Sequence, residues 1–168
     1  EGLLEHGLLE HGNSAFDELL RVPFILSAPG FRTGARILDP VRAIDVFPTL
    51  VDLLGLAPPP GLSGTRLTPL LQGGRAAAPP AISEIGSLQD SDLTGVAIRS
   101  SDWKLIQQYE PPSVKLYDLK RDPGERRDVA ADHAAVAAGL LRQLAVWRAA
   151  LNAANNTTSV LDPGSGAH

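Results

Sequence analysis

The stretch VAIRSSDWKLIQQYEPPSVKLYDL, residues 96–119, decides the fold class. It holds three short apolar runs, 96–99, 103–109 and 115–119, separated by turn chemistry. Ser100-Ser101-Asp102 suits a hairpin turn between the first two, and Ala81-Ile82-Ser83-Glu84 is a fourth run upstream. Several short strands joined by tight turns predict a small antiparallel sheet. Downstream, Lys120-Arg121-Asp122-Pro123-Gly124-Glu125 is turn chemistry, with the carboxylates placed to hold the turn and Arg126-Arg127 solvated. Residues 131–153 are rich in alanine and leucine, with Leu140, Leu141, Leu144 and Trp147 at helical spacing, which predicts one long amphipathic helix. The polar end NNTTSVLDPGSGAH, residues 155–168, reads as a frayed tail.

Working back from the sheet, the texture differs. Residues 21–27 (RVPFILS) form a near-continuous apolar run, the pattern of a strand covered on both faces in a parallel sheet. Residues 36–42 read as extended. Residues 44–56 (IDVFPTLVDLLGL) carry a wide apolar stripe of Val46, Phe47, Leu50, Val51, Leu53 and Leu54, so a helix is expected there. Pro48 is tolerable in its first turn and Gly55 can end it. A turn-rich connector (APPPGLSG) leads to a short helix at 67–71. Before all of these, Asn13 or Ser14 can cap a helical turn whose first residues include Asp17 and Glu18. The order implies the trailing part of an α/β domain over residues 1–80, a smaller α+β unit over 81–153, and a flexible tail over 154–168.

Composition narrows the function. The 168 residues are 43% hydrophobic and 20% charged, ordinary values for a globular chain. A formal charge of −4 with no basic stripe argues against nucleic acid as a partner. No apolar run approaches the ~18–20 residues of a membrane helix. The absence of cysteine excludes disulfides and a thiol nucleophile within these residues. No phosphate-cradling GxxxxGK[ST] and no GxSxG elbow is present.

The chain opens EGLLEHGLLEHGN, in which GLLEHG occurs twice, offset by five residues. A period of five fits neither helix nor strand, and Gly2, Gly7 and Gly12 punctuate it, so an irregular loop is expected. His6 and His11 on such a loop are candidate site residues. Glu5-His6 and Glu10-His11 lack the i, i+4 spacing that gathers metal ligands on a helix. The overlapping Asn155 and Asn156 sequons are glycosylation signals only in an exporting eukaryote.

Read in order, the pieces resemble the C-terminal half of a sulfatase of the alkaline-phosphatase-like superfamily. Glu1-Gly2-Leu3-Leu4-Glu5-His6-Gly7 looks like the continuation of a DHGE-x-x-GEHG loop. Residues 16–30 are similar to the family's LYDEELRVPLII…PG, and residues 45–55 to its DIFPTLLDLAG, followed by Gly61-Leu62-Ser63-Gly64. Trp103-Lys104-Leu105-Ile106 and Leu116-Tyr117-Asp118-Leu119 with Asp122-Pro123-Gly124-Glu125 match its closing WKLI and LYDL…DPGE pattern. The resemblance spans residues 1 to about 150. Ser27-Ala28-Pro29-Gly30-Phe31-Arg32 is a poor copy of the family's C/S-x-P-x-R nucleophile segment, with its arginine one residue late, and is set aside.

The resemblance implies an α/β/α sandwich whose trailing part is followed by the small antiparallel sheet and C-terminal helix. It implies a sulfuric ester hydrolase acting on a sulfated small molecule or glycan. Family members carry a basic residue five positions after the GEHG histidine that contacts a sulfate oxygen, and His11 falls there. A donor aimed at oxygens that gain charge stabilises the transition state more than the ground state. His6 is then a loop-organising residue with a secondary claim to direct contact. The formylglycine nucleophile and the carboxylate ligands of a divalent cation, usually calcium, are expected upstream of Glu1, so no catalytic nucleophile and no metal ligand is assigned here. These residues alone are expected to be inactive. The alternatives are a phosphodiesterase or phosphoethanolamine transferase of the same superfamily, and a non-catalytic sulfatase-like binding module. Export to the periplasm or medium is the family's habit, and residues 84–93 are a candidate pocket mouth.

Overall fold

The computed structural model describes residues 2–7, 9, 10, 14–31, 34–74, 79–86 and 93–160, with backbone alone at 9, 10 and 155–160. Its centre is a four-stranded antiparallel sheet in sequence order: β3 (Ala81–Gly86), β4 (Leu93–Arg99), β5 (Trp103–Gln108) and β6 (Ser113–Asp118). The expected Ser100 turn forms, with the Ser100 N–H donating to the Trp103 carbonyl at 2.8 Å. Pairing sets Ala97 opposite Ile106 and Ile98 opposite Leu105, while Lys104 faces Tyr117 and Leu105 faces Leu116. Because side chains alternate, this register sorts the strands into two faces.

One face buries Val96, Ile98, Leu105 and Leu116 against Ala137, Leu140 and Leu144 of a long helix. That helix, numbered α4 here, runs Ala134–Val160, beyond the end expected at 153. Asparagine and threonine cost only tenths of a kcal/mol each in a helix, and the next proline is Pro163. Residues 154–160 of the expected tail are therefore helical backbone, and residues 161–168 lie outside the described residues. By length and composition Ala134–Ala154 is also long and apolar enough to cross a membrane, although no continuous run of large apolar residues marks it, because alanine supplies much of its apolar character. Its inward stripe packs on the sheet, while most of the span, including Val146 at 71%, is exposed.

The opposite face buries Ile85, Ala97, Ile106, Tyr117 and Leu119 under Ala15, with Phe16 packed against them. The front of the chain thus forms the second cover of the sheet. The front of the chain forms a short hairpin rather than an irregular loop: β1 (Gly2–Leu3) pairs β2 (Leu9–Glu10), Gly2 with Glu10 and Leu3 with Leu9. Positive φ at Leu4 and Gly7, closed by a Gly7 N–H to Leu4 carbonyl bond of 3.1 Å, makes so tight a reversal possible. His6 sits in that turn. The following helix α1 is only Asp17–Leu20.

Residues 43–45 form one 3₁₀ turn leading into α2 (Val46–Leu53). It ends as expected at Gly55, whose φ of +67° permits the 6→1 bond from Leu56 N–H to the Val51 carbonyl. Asp45 is fully buried and accepts from Arg42, from its backbone N–H at 2.9 Å and its guanidinium at 2.6 Å, and from the Thr65 N–H at 2.9 Å. Burial opposes its charge, but these donors outweigh burial and leave its pKa lowered. Gly64 is required by close approach: a Cβ there would collide with the Ile44 carbonyl oxygen. A second short helix, α3 (Thr68–Leu71), follows.

The strand expected at 21–27 does not form. Residues 21–28 are irregular, and Val22 and Ile25 are 72% and 90% exposed. Residues 36–42 are likewise irregular, with Leu38 exposed. A parallel strand exists only with neighbours to pair its N–H and C=O groups, and the described residues offer none at these segments.

Helix α4 supplies a direct check on this packing. Leu144→Ala, in the buried stripe, is expected to cost about 2–5 kcal/mol, whereas Val146→Ala on the exposed face should cost under about 0.5 kcal/mol. Urea denaturation of the two variants separates them, and equal losses would contradict the assigned face.

Candidate functional site: the front hairpin and the buried charge cluster beneath it

Lys104 lies in β5 where alternation turns it to the face covered by residues 15–17, and it is fully buried. Its Nζ donates to Asp17 Oδ1 at 2.9 Å and lies 2.8 Å from Glu125 Oε1. Arg99, one strand over, places Nε 3.4 Å from the same Asp17 oxygen. Glu125 is 2% exposed and, although not glycine, has φ of +52°. That left-handed backbone carries a strain cost of about 1–3 kcal/mol, tolerated only where surroundings dictate it. Here they do: the Asp17 N–H donates to Glu125 Oε2 at 2.6 Å. Glu125 therefore caps α1 from across the chain, in the role that the sequence pattern gives to Asn13 or Ser14. Burial pushes the Glu125 carboxyl above the usual range, and Lys104 with the Asp17 N–H only partly offsets this.

His6 docks on top of the cluster. Its ring stacks on Phe16 with centroids 3.7 Å apart and planes 2° from parallel. Nδ1 lies 2.6 Å from Glu18 Oε1, and Nε2 lies 3.1 Å from the Glu125 carbonyl oxygen. An ionised carboxylate and a carbonyl can only accept, so both ring nitrogens must donate, which is the arrangement of an imidazolium. Burial of the ring works against that charge. The Glu18 hydrogen bond and the Glu125 carbonyl together overcome it and raise the His6 pKa.

His11, five residues further along, lies outside the described residues, as do residues 87–92 of the candidate pocket mouth. Of the rest of that mouth, Ile85 lines a cleft beside His6. Sequence reasoning missed Lys104, Glu125 and Asp17 as a unit. The signals were present as a lysine inside an otherwise apolar strand and a glutamate after Pro-Gly, but nothing in the sequence says that they meet. Asp122 does hold its turn, its Oδ2 accepting from the Arg127 N–H at 2.8 Å, but Glu125, expected to do the same, turns its carboxylate inward to Lys104, and Asp128 Oδ1 accepts from the Leu116 N–H at 3.0 Å, back on β6. Among the described residues no group of three or more His, Asp or Glu could hold a metal ion. Glu5, Glu18 and Asp17 are committed to the Leu3 N–H, His6 and Lys104 respectively.

Residues 5–150 match the family described as N-sulphoglucosamine sulphohydrolase, C-terminal. The chain belongs to this sulfatase family. It is 33% identical over 138 residues to the Delta 4,5-hexuronate-2-O-sulfatase of Bacteroides thetaiotaomicron, a match covering 79% of this chain and 29% of that protein. Arylsulfatase K of Mus musculus is 29% identical over 128 residues, covering 71% and 23%. A solved structure assigned as a sulfatase from Bacteroides thetaiotaomicron superposes with a TM-score of 0.71 at 31% identity, covering 80% of this chain and 31% of that one. The phosphonate monoester hydrolase of Silicibacter pomeroyi superposes at 0.60 with 28% identity, covering 73% and 28%. The chain thus spans under a third of the length of these relatives. The small sheet with its C-terminal helix belongs to an alkaline-phosphatase-like fold.

Two outcomes follow for this sulfatase segment. Glu125→Ala strands the Lys104 ammonium beside a single carboxylate and removes the α1 cap, an expected loss of about 3–5 kcal/mol by chemical denaturation. His6, with a raised folded pKa, contributes stability that is complete below its ordinary value of 6.5 and is lost as pH climbs through the folded value. Melting temperatures taken from pH ~5 to ~9 should fall across that window relative to His6→Gln. Parallel curves for the two proteins would remove the imidazolium.

Proposed function

We propose that this chain is the C-terminal part of a sulfate ester hydrolase acting on sulfated saccharides. The observation that carries the reading is the family match over residues 5–150 together with the identity to a named sulfatase along most of this chain. The geometry supports it in one respect. His6, Phe16, Glu18 and Glu125 anchor the front hairpin to the sheet, so the segment leading to position 11 starts from a fixed base. His11 donates a hydrogen bond to a sulfate oxygen and stabilises the charge that gathers there as the ester bond breaks. His6 acts behind it by fixing the hairpin.

By the resemblance the nucleophile is a formylglycine and the metal a calcium ion, both held outside this chain. A hard cation with oxygen ligands would polarise a sulfuryl oxygen. The described residues carry no ligand set for it, so no step is assigned to it here. Substrate choice within the sulfated saccharides follows relatives such as the Delta 4,5-hexuronate-2-O-sulfatase. Export to the periplasm or medium is part of the same reading.

A phosphonate or phosphate ester hydrolase is the second reading, because two phosphonate monoester hydrolases share the fold at 34% and 28% identity. A chromogenic aryl sulfate and an aryl phosphonate decide between them when offered to a protein that joins this chain to the remainder of the sulfatase domain. Turnover of the sulfate ester is expected, with His11→Ala lowering kcat by about 10²–10³. Preference for the phosphonate, or an unchanged kcat in His11→Ala, overturns the reading. The 168-residue chain by itself should show no turnover of either.

A further inference from the structure

The sheet face opposite α4 carries a cleft of about 390 Å³ beside the hairpin, whose polar lining includes His6, Gln108, Ser113, Lys115 and Arg126. Alternation along β5 and β6 puts Gln108, Ser113 and Lys115 on the same face as Lys104 and Tyr117. The charges here are one-sided. Glu125 also lines the cleft, but its carboxylate is taken up by Lys104 and the Asp17 N–H. Lys115 and Arg126 are exposed, and neither has an ion pair among the described residues. The Gln108 carbonyl accepts from Ser113 Oγ at 3.1 Å, which leaves its NH₂ group as a donor without a partner among the described residues.

An ammonium, a guanidinium and an amide donor around one concavity call for a ligand rich in oxygen and carrying negative charge. The volume falls in the ordinary range for small-molecule sites and is far larger than one sulfate ion needs. A flat acidic peptide or a nucleic-acid strand would ask for an extended groove or base-stacking aromatics. Here Tyr117 is 3% exposed and Phe16 is already stacked on His6.

We propose that this cleft is a subsite for an anionic saccharide unit, one bearing a sulfate or carboxylate, next to the unit whose ester is cleaved. Lys115 and Arg126 hold the anion, and Gln108 donates to a hydroxyl or ring oxygen. The place next to a cleaved unit rests on the hydrolase reading above; the anion site itself rests on the cleft.

Isothermal titration of the 168-residue protein with a heparin tetrasaccharide tests it, with maltotetraose and inorganic sulfate as comparison ligands. Saturable binding of the tetrasaccharide is expected, weaker by about tenfold or more in the Lys115→Ala/Arg126→Ala variant, the loss of one or two charge-assisted hydrogen bonds. Lys120→Ala, an exposed lysine outside the cleft, should change it less than about twofold. Circular dichroism should show both variants folded, since all three side chains are exposed. Three results each overturn the proposal: no saturable binding at millimolar ligand, equal weakening by Lys120→Ala, or binding of inorganic sulfate or maltotetraose as tight as that of the tetrasaccharide. The aryl sulfate assay stands apart. Specific binding without sulfate ester turnover keeps the anion site and removes the hydrolase, while turnover without tetrasaccharide binding does the reverse.

Discussion

A fully buried ammonium, that of Lys104, constrains the rest of the structure. A lysine in the covered face of a sheet is costly unless carboxylates meet it, and Lys104 has two, from Asp17 at 2.9 Å and Glu125 at 2.8 Å. These partners come from either side of it in sequence, Asp17 from 87 residues before and Glu125 from 21 residues after. Glu125 arrives on the turn after β6, in a left-handed conformation that an unconstrained glutamate avoids. Asp17 arrives on the front segment, whose backbone N–H then uses the second Glu125 oxygen. One electrostatic requirement therefore closes the fold, because the front of the chain cannot leave the sheet without stranding a buried charge.

From that closure the front hairpin inherits its position. Asp17 fixed on Lys104 sets Phe16 against Tyr117 and places Glu18 beside His6. The Glu125 backbone oxygen meets the other nitrogen of the same imidazole. A chain of ionic and hydrogen-bonded contacts thus runs from the interior of β5 to a hairpin at the surface. The same face of the sheet lines the cleft that holds Lys115 and Arg126, so the anchor and the cleft share one set of strands.

The irregular segments around Ile25 and Leu38 illustrate the converse. Their apolar residues have the pattern of strands, yet they lie exposed because a strand is defined by its neighbours' hydrogen bonds as much as by its own side chains. Asp45 shows a middle case. Its segment is helical by its own pattern, while the burial of its carboxylate depends on Arg42 nearby and on Thr65 twenty residues away in sequence.

What the sequence by itself determined was whatever depends on local pattern. Short apolar runs at 96–99 and 103–108 with the Ser100 turn are enough for the hairpin, and Gly55 is enough to stop α2, because these features need only neighbours in the chain. The ordered family motifs were legible for the same reason, and with them the sulfatase kinship. The tertiary structure alone decided that the GLLEHG segment becomes a hairpin and that His6 has both nitrogens engaged. It also decided that Lys104, Asp17 and Glu125 are one cluster. The contacts of Asp17 with Lys104 and Glu125, and of His6 with Glu125, join residues 87, 108 and 119 positions apart, and no period or spacing along a chain encodes which distant charge will be dragged into the interior to neutralise another.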